Sequence, residues 1–158
     1  NTLLTENSST KQTFPDISRA TDVQREVYGD ELLQAYTYAR SVGITTVSDV
    51  DKANLMGTLT RAQAAKMLSQ FAIQQLGKTP DTKKVCVYPD ISGYGDLTQW
   101  METSCQLGIM GVGVSTFSPE KEMSRAEFGT VLSRVLRGDT YSAGTTFYEG
   151  HLKQLQKF

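Results

Sequence analysis

The feature that most constrains this 158-residue chain is that it repeats itself. Leu59-Thr60-Arg61-Ala62-Gln63 aligns with Met123-Ser124-Arg125-Ala126-Glu127 at an offset of 64 residues. The apolar positions then coincide through the next stretch of each copy: Ala64, Met67, Leu68, Phe71 and Ala72 fall on Phe128, Val131, Leu132, Val135 and Leu136. Their spacing is that of one face of a helix. Thr60 and Ser124 are good N-caps, and Gln63 and Glu127 three residues later complete a capping box, so these four residues are assigned structural roles. Gly77 and Gly138 supply stop signals.

The similarity extends upstream. Val42-Gly43-Ile44 matches Leu107-Gly108-Ile109, and an amphipathic stretch precedes each. Leu32, Ala35, Tyr36, Ala39 and Val42 match Leu97, Trp100, Met101, Ser104 and Leu107, with Gly43 and Gly108 as C-caps. Before these, Phe14-Pro15-Asp16-Ile17-Ser18 matches Tyr88-Pro89-Asp90-Ile91-Ser92. An aromatic-Pro-Asp step reads as an extended lead-in and then a turn, and Asp16 and Asp90 are expected to hold their own turns through side chain to backbone bonds. The first copy carries about nine extra residues near Arg19 to Gly29. A third copy begins at Tyr148, with His151, Leu152, Leu155 and Phe158 on the helix positions, and the chain stops before a Gly-Ile can occur.

The expected fold is therefore all-α: tandem two-helix repeats over residues 1–77 and 78–138, and the start of a third, incomplete one over 139–158. One helix pair cannot bury its own apolar face, so the units must share a core. A helical bundle with rough threefold character, in which the three first helices meet, satisfies that need.

Composition excludes several function classes. A formal net charge of -1 and only short charge clusters such as Lys83-Lys84 argue against nucleic acid as a partner. No apolar run approaches the ~20 residues of a membrane span, and the first residues carry no signal-peptide pattern. The chain lacks an initiating Met and reads as a piece of something longer. There is no Gly-x-Ser-x-Gly, His-Glu-x-x-His or phosphate loop, and the single His151 leaves a Ser or Cys nucleophile few bases. The chain is read as non-enzymatic. Cys86 and Cys105 are either two buried thiols or one disulfide, and with one distant histidine they do not make a zinc site. Asp49-Val50-Asp51 opens like a calcium loop, but Ala53 and Leu55 stand where the next ligand and the glycine belong. No cofactor is expected.

The second unit resembles the S-layer homology family. The residues that carry the resemblance are Tyr88-Pro89-Asp90, Trp100, Gly108-Ile109, Gly111, Phe117-Ser118-Pro119 and Ser124-Arg125-Ala126-Glu127. The first unit departs from that pattern: Ala35 stands for the Trp, Gln63 for the Glu, and no Phe-x-Pro precedes Thr60. In the third, His151 takes the Trp position. The resemblance implies a secreted module that holds S-layer proteins or surface enzymes on the bacterial wall by binding anionic, often pyruvylated, polysaccharide. It implies a three-pronged spindle of three repeats, an extracellular setting that favours a Cys86–Cys105 disulfide, and ligand contact by the motif arginine.

On that basis the candidate glycan-binding residues are Arg125, Arg61, Trp100 and Gly111. Arg61 and Arg125 sit at the first helical position, where unpaired backbone N–H groups and the positive helix end add to a guanidinium that grips a carboxylate with two parallel bonds. The competing reading is that each arginine pairs with a nearby carboxylate and ties units together. Trp100 can stack on a sugar face, although its place on the apolar stripe favours a core anchor. Gly111 permits backbone approach to a ligand or, more simply, a tight loop. A second function class stays open: the repeats assemble with copies of themselves or with other surface-layer subunits and touch no glycan.

Overall fold

The computed structural model describes residues 15–142 and 146–157. Among these residues every regular element is helical: α1 (Asp22–Ser41), α2 (Arg61–Gln74), α3 (Asp96–Gln106), α4 (Arg125–Arg137) and α5 (Glu149–Leu155), with a 3-10 turn at Gly138–Tyr141. Phe14 and Phe158, at the two ends of the expected match, lie outside the described residues.

The helix starts agree closely with the sequence signals. The Thr60 and Ser124 side chains each accept from the backbone N–H at N3, while the Gln63 and Glu127 side chains reach back to the cap N–H. Thr21 and Gln24 form a third capping box at the head of α1. Helices α1 and α3 close in the same way as each other. Gly43 (φ 74°) donates to the Arg40 carbonyl and Ile44 to that of Ala39; Gly108 (φ 74°) donates to Cys105 and Ile109 to Ser104. That pair of bonds satisfies carbonyls the helix leaves over, and it needs a left-handed residue that glycine adopts without steric cost. α2 ends earlier than expected, with Gln75 as its cap, and Gly77 lies two residues beyond.

α2 packs against α3, and α4 against α5 and the 3-10 turn, so the packed pairs straddle the unit boundaries at 77/78 and 138/139. The face α2 buries is mostly small, with Ala62, Ala64, Ala65, Ser69 and Ala72 beside Leu68 and Gln70, which lets α3 come close with Met101, Ser104 and Cys105 turned inward. Gly129 does the same for α5: a Cβ there would lie 2.5 Å from Leu152. His151 is fully buried beside it, its Nδ1 2.8 Å from the Ser133 hydroxyl and its Nε2 3.2 Å from that of Ser142. The main core gathers Phe117, Met101, Ile109, Met110 and Val135 with Tyr88, Ile91 and the α2 face. Each large side chain so buried contributes roughly 1.5–3 kcal/mol. The Cys86–Cys105 disulfide lies within this core and ties the segment before Tyr88 to the last turn of α3.

Several expectations need correction. The extra residues of the first copy are mostly helix: α1 starts at Asp22 and is interrupted at Gly29 (φ 75°, ψ 158°). Past that break α1 buries Leu33 and Tyr36, while Ala35 is exposed, because the helix packs on the loop after it, where Tyr36 donates to the Val47 carbonyl at 2.6 Å. Among the described residues α1 packs on no other helix, so the three first helices α1, α3 and α5 do not meet. On α4, Val131 and Val135 are buried as expected, but Phe128 and Leu136 are exposed. The cause is α5, which covers the Gly129 and Ser133 side and rotates the buried face toward it.

Candidate functional site

The two capped helix starts lie side by side. Their approach segments pair antiparallel: the Arg61 N–H donates to the Lys121 carbonyl and the Met123 N–H to that of Leu59, both at 2.9 Å, around a bridge between Thr60 and Glu122. The Thr58 hydroxyl adds a bond to the Glu122 carboxylate. Sequence repetition makes the two ends look equivalent, but their surroundings differ.

At α2 the helix end is closed. The Arg61 and Ala62 N–H groups, which a helix leaves without internal partners, are taken by the carbonyls of Lys121 and Pro119. The Arg61 Nε donates to the Phe117 carbonyl at 2.8 Å, and its guanidinium lies 5.2 Å from the Phe117 ring centroid. Burial pulls the Arg61 pKa down, and Glu127, Tyr88 and Asp90 pull it back up; the group remains a cation. Arg61 is thus a clamp on the 117–121 loop. The partner is a backbone carbonyl and a ring, not the carboxylate that the tying alternative supposed.

Asp90 completes that clamp from the other side. Its two carboxylate oxygens accept from the Phe117 N–H at 2.9 Å and the Ser118 N–H at 2.7 Å. The Phe117 N–H is the main cause that holds Asp90 below the usual carboxylate range. Asp16 behaves as expected and holds its own turn, accepting from the Ser18 N–H. Asp90 instead reaches a loop 27 residues away. There it fixes Ser118 in a left-handed conformation (φ 58°), which a non-glycine residue adopts only where its surroundings impose it.

Gly111 (φ 76°) is accounted for in the same cluster. Its carbonyl accepts from the Tyr88 hydroxyl at 2.7 Å, and a Cβ would lie 2.5 Å from that oxygen. The space a ligand was expected to approach is filled by Tyr88, which meets Phe117 edge to face at 5.4 Å. The aromatic-Pro-Asp step, the glycine, the Phe-x-Pro loop and Arg61 therefore satisfy one another. No family model, curated protein or solved structure matches this chain.

At α4 the helix end is open. Arg125 is exposed, and among the described residues nothing accepts from the Arg125 and Ala126 N–H groups. Glu127 accepts from the Ser124 N–H at 2.8 Å and from Lys121 at 2.7 Å. The Lys121 bond leads the causes that hold its pKa down to about 2. Trp100 is half-buried on α3 and does not belong to the main core.

Two clefts lie elsewhere, and neither is lined by Arg61, Trp100, Gly111 or Arg125. One, of about 390 Å³, runs between the 44–59 loop, α2 and Leu97 of α3. The other, of about 540 Å³, lies between α1, the segment before it and the 48–50 loop, with Arg19 and Arg40 on its wall. Sequence reasoning misses it because those arginines are 21 positions apart and only the fold-back of the loop onto α1 places them on one cleft. No described helix is long and apolar enough to cross a membrane.

Proposed function

We propose that this chain is a non-catalytic anchoring module of the bacterial cell surface that binds an anionic, pyruvylated type of wall polysaccharide at the open end of α4. The observation that carries this is the contrast between the two helix starts. Both bear an arginine at the first helical position, but of the two only Arg125 is exposed, and it sits beside backbone N–H groups that find no acceptor among the described residues. That combination suits a carboxylate on an otherwise neutral sugar. Half-buried Trp100 is retained as a sugar-stacking candidate, whereas Arg61 and Gly111 act through the loop they hold. A disulfide among the described residues agrees with an oxidising, extracellular setting. The three sequence units are read as copies of one building block that pack on one another across the unit boundaries, α2 with α3 and α4 with α5, with α1 the helix that a threefold arrangement would still have to pair.

One observation favours a second reading. The α2 end is closed by a turn-containing loop, 117–121, of the following unit. An equivalent segment of another subunit would close the α4 end in the same manner, making the chain an assembly module. Co-sedimentation with purified wall polysaccharide separates the two. On the anchoring reading wild type is retained, Arg125→Ala is retained at least tenfold less, and chemical removal of the ketal carboxylates has the same effect. Retention unchanged by Arg125→Ala defeats the assignment. A stable oligomer by light scattering that Arg125→Ala dissociates, without glycan retention, establishes the second reading.

A further inference from the structure

The cleft beside α1 has chemistry of its own. Its volume, about 540 Å³, lies in the range of small-ligand sites. Ile17, Leu33 and Val50 give it apolar lining. Three of its uncharged polar groups are already committed: the Tyr36 hydroxyl to the Val47 carbonyl, the Thr37 hydroxyl to that of Leu33, and the Gln24 amide to the Thr21 N–H and the Asp51 carboxylate. These bonds fix the wall.

Four charged groups on this wall are left with capacity. Arg19 and Arg40 are both exposed, and neither forms an ion pair with a carboxylate among the described residues. Asp16 and Asp49 each spend one oxygen on a backbone N–H, of Ser18 and Asp51 respectively, and the second oxygen of Asp49 lies 4.0 Å from the Lys52 ammonium, a long and exposed pair that a ligand hydroxyl can displace. The Ser48 hydroxyl is also on the wall. The second cleft lacks such capacity. Its cation, Lys66, is paired to Asp96 at 2.6 Å, and its Gln63 is engaged in the α2 cap.

We infer that the α1 cleft is a binding site for a carboxylated sugar residue of the hexuronic acid class. The guanidinium of Arg19 or Arg40 takes the ligand carboxylate, for which its planar fork is shaped. Asp16, Asp49 and Ser48 take the ring hydroxyls, which can donate to carboxylates where a second anionic group cannot. Two arginines balanced by two aspartates suit a singly charged, hydroxyl-rich ligand and disfavour a multiply charged phosphate. On the anchoring reading, on which the choice of a glycan ligand rests, this is a second point of contact with the polymer, separate from Arg125.

The test is calorimetric titration of the full chain with glucuronate, with glucose and inorganic phosphate as comparisons. Wild type binds glucuronate at least tenfold more tightly than either comparison, a difference of about 1.4 kcal/mol or more. The double variant Arg19→Gln/Arg40→Gln, both positions being exposed, melts as wild type does and loses at least tenfold in glucuronate affinity, while Lys83→Gln, exposed and not on the wall of this cleft, binds it normally. Absence of glucuronate binding, equal binding of glucose, or full affinity in the double variant overturns the inference. A failure of the Arg125 assignment is read separately, as polymer retention that Arg125→Ala leaves unchanged.

Discussion

Reducing the Cys86–Cys105 disulfide tests the central linkage of this fold. The bond spans a sequence separation of 19, and the chain-entropy relation gives about 3 kcal/mol for a loop of that size. Reduction of the wild-type protein keeps both sulfurs in place in the core, where each is buried, so the loss reads the cross-link alone. At roughly 2–4 °C per kcal/mol for a chain of this length, the melting temperature should fall by roughly 6–12 °C. The structure adds a spatial expectation. The segment that Cys86 pins carries Tyr88 and Asp90, which brace Gly111 and the Phe117 loop that Arg61 clamps. Amide exchange should therefore rise first at Phe117 and Ser118 and at the Arg61 and Ala62 N–H groups, before it rises in α5. Urea unfolding with and without reductant, combined with hydrogen exchange, checks both parts. A loss below about 1 kcal/mol, or loosening spread evenly over the chain, would refute the argument that this loop is braced through the cross-link.

Three further outcomes rest on particular contacts. Gly111→Ala should destabilise by about 1–3 kcal/mol more than Gly113→Ala, because both glycines have positive φ but only the first Cβ meets Tyr88; equal losses in thermal melts would show that backbone strain alone matters. Burial, aided by Arg134, lowers the His151 pKa from its usual 6.5, with Asp139 opposing. The unfolded chain therefore binds this proton more readily. The contribution of neutral His151 is complete above about pH 6.5 and is lost as pH falls below it; a urea midpoint that does not move between neutral and mildly acidic pH contradicts this. The Glu127 pKa of about 2, against an ordinary 4.5, gives stability that is present above 4.5 and lost as pH falls toward 2. Its Lys121 partner is more than half exposed, so the contribution is discounted to about 1–2 kcal/mol. Glu127→Gln keeps the cap, as Gln63 does at α2, and should flatten that part of the acid-unfolding curve.

Much of the fold can be read from residue order alone, because the signals concerned are local. A threonine or serine cap with a Gln or Glu three residues on dictates where α2 and α4 begin, and Gly-Ile dictates how α1 and α3 close, since the bonds involved span five residues or fewer. The candidate site is legible only as a set of residue types. Sequence assigns Asp90 to its own turn because it cannot display an acceptor's partner 27 residues away. Periodicity places Phe128 and Leu136 inward because it fixes a helix face but not which neighbour covers that face.

The sequence by itself determined the helical class, the cap positions and the likeness of Arg61 to Arg125. Tertiary structure alone decided that they are not equivalent: a loop of the following unit lies over the α2 start, consuming its N–H groups and its guanidinium, and no described segment does so at α4. The physical reason is that a helix terminus leaves donors whose partner is chosen by whatever chain the fold brings alongside, and that choice is absent from the local sequence.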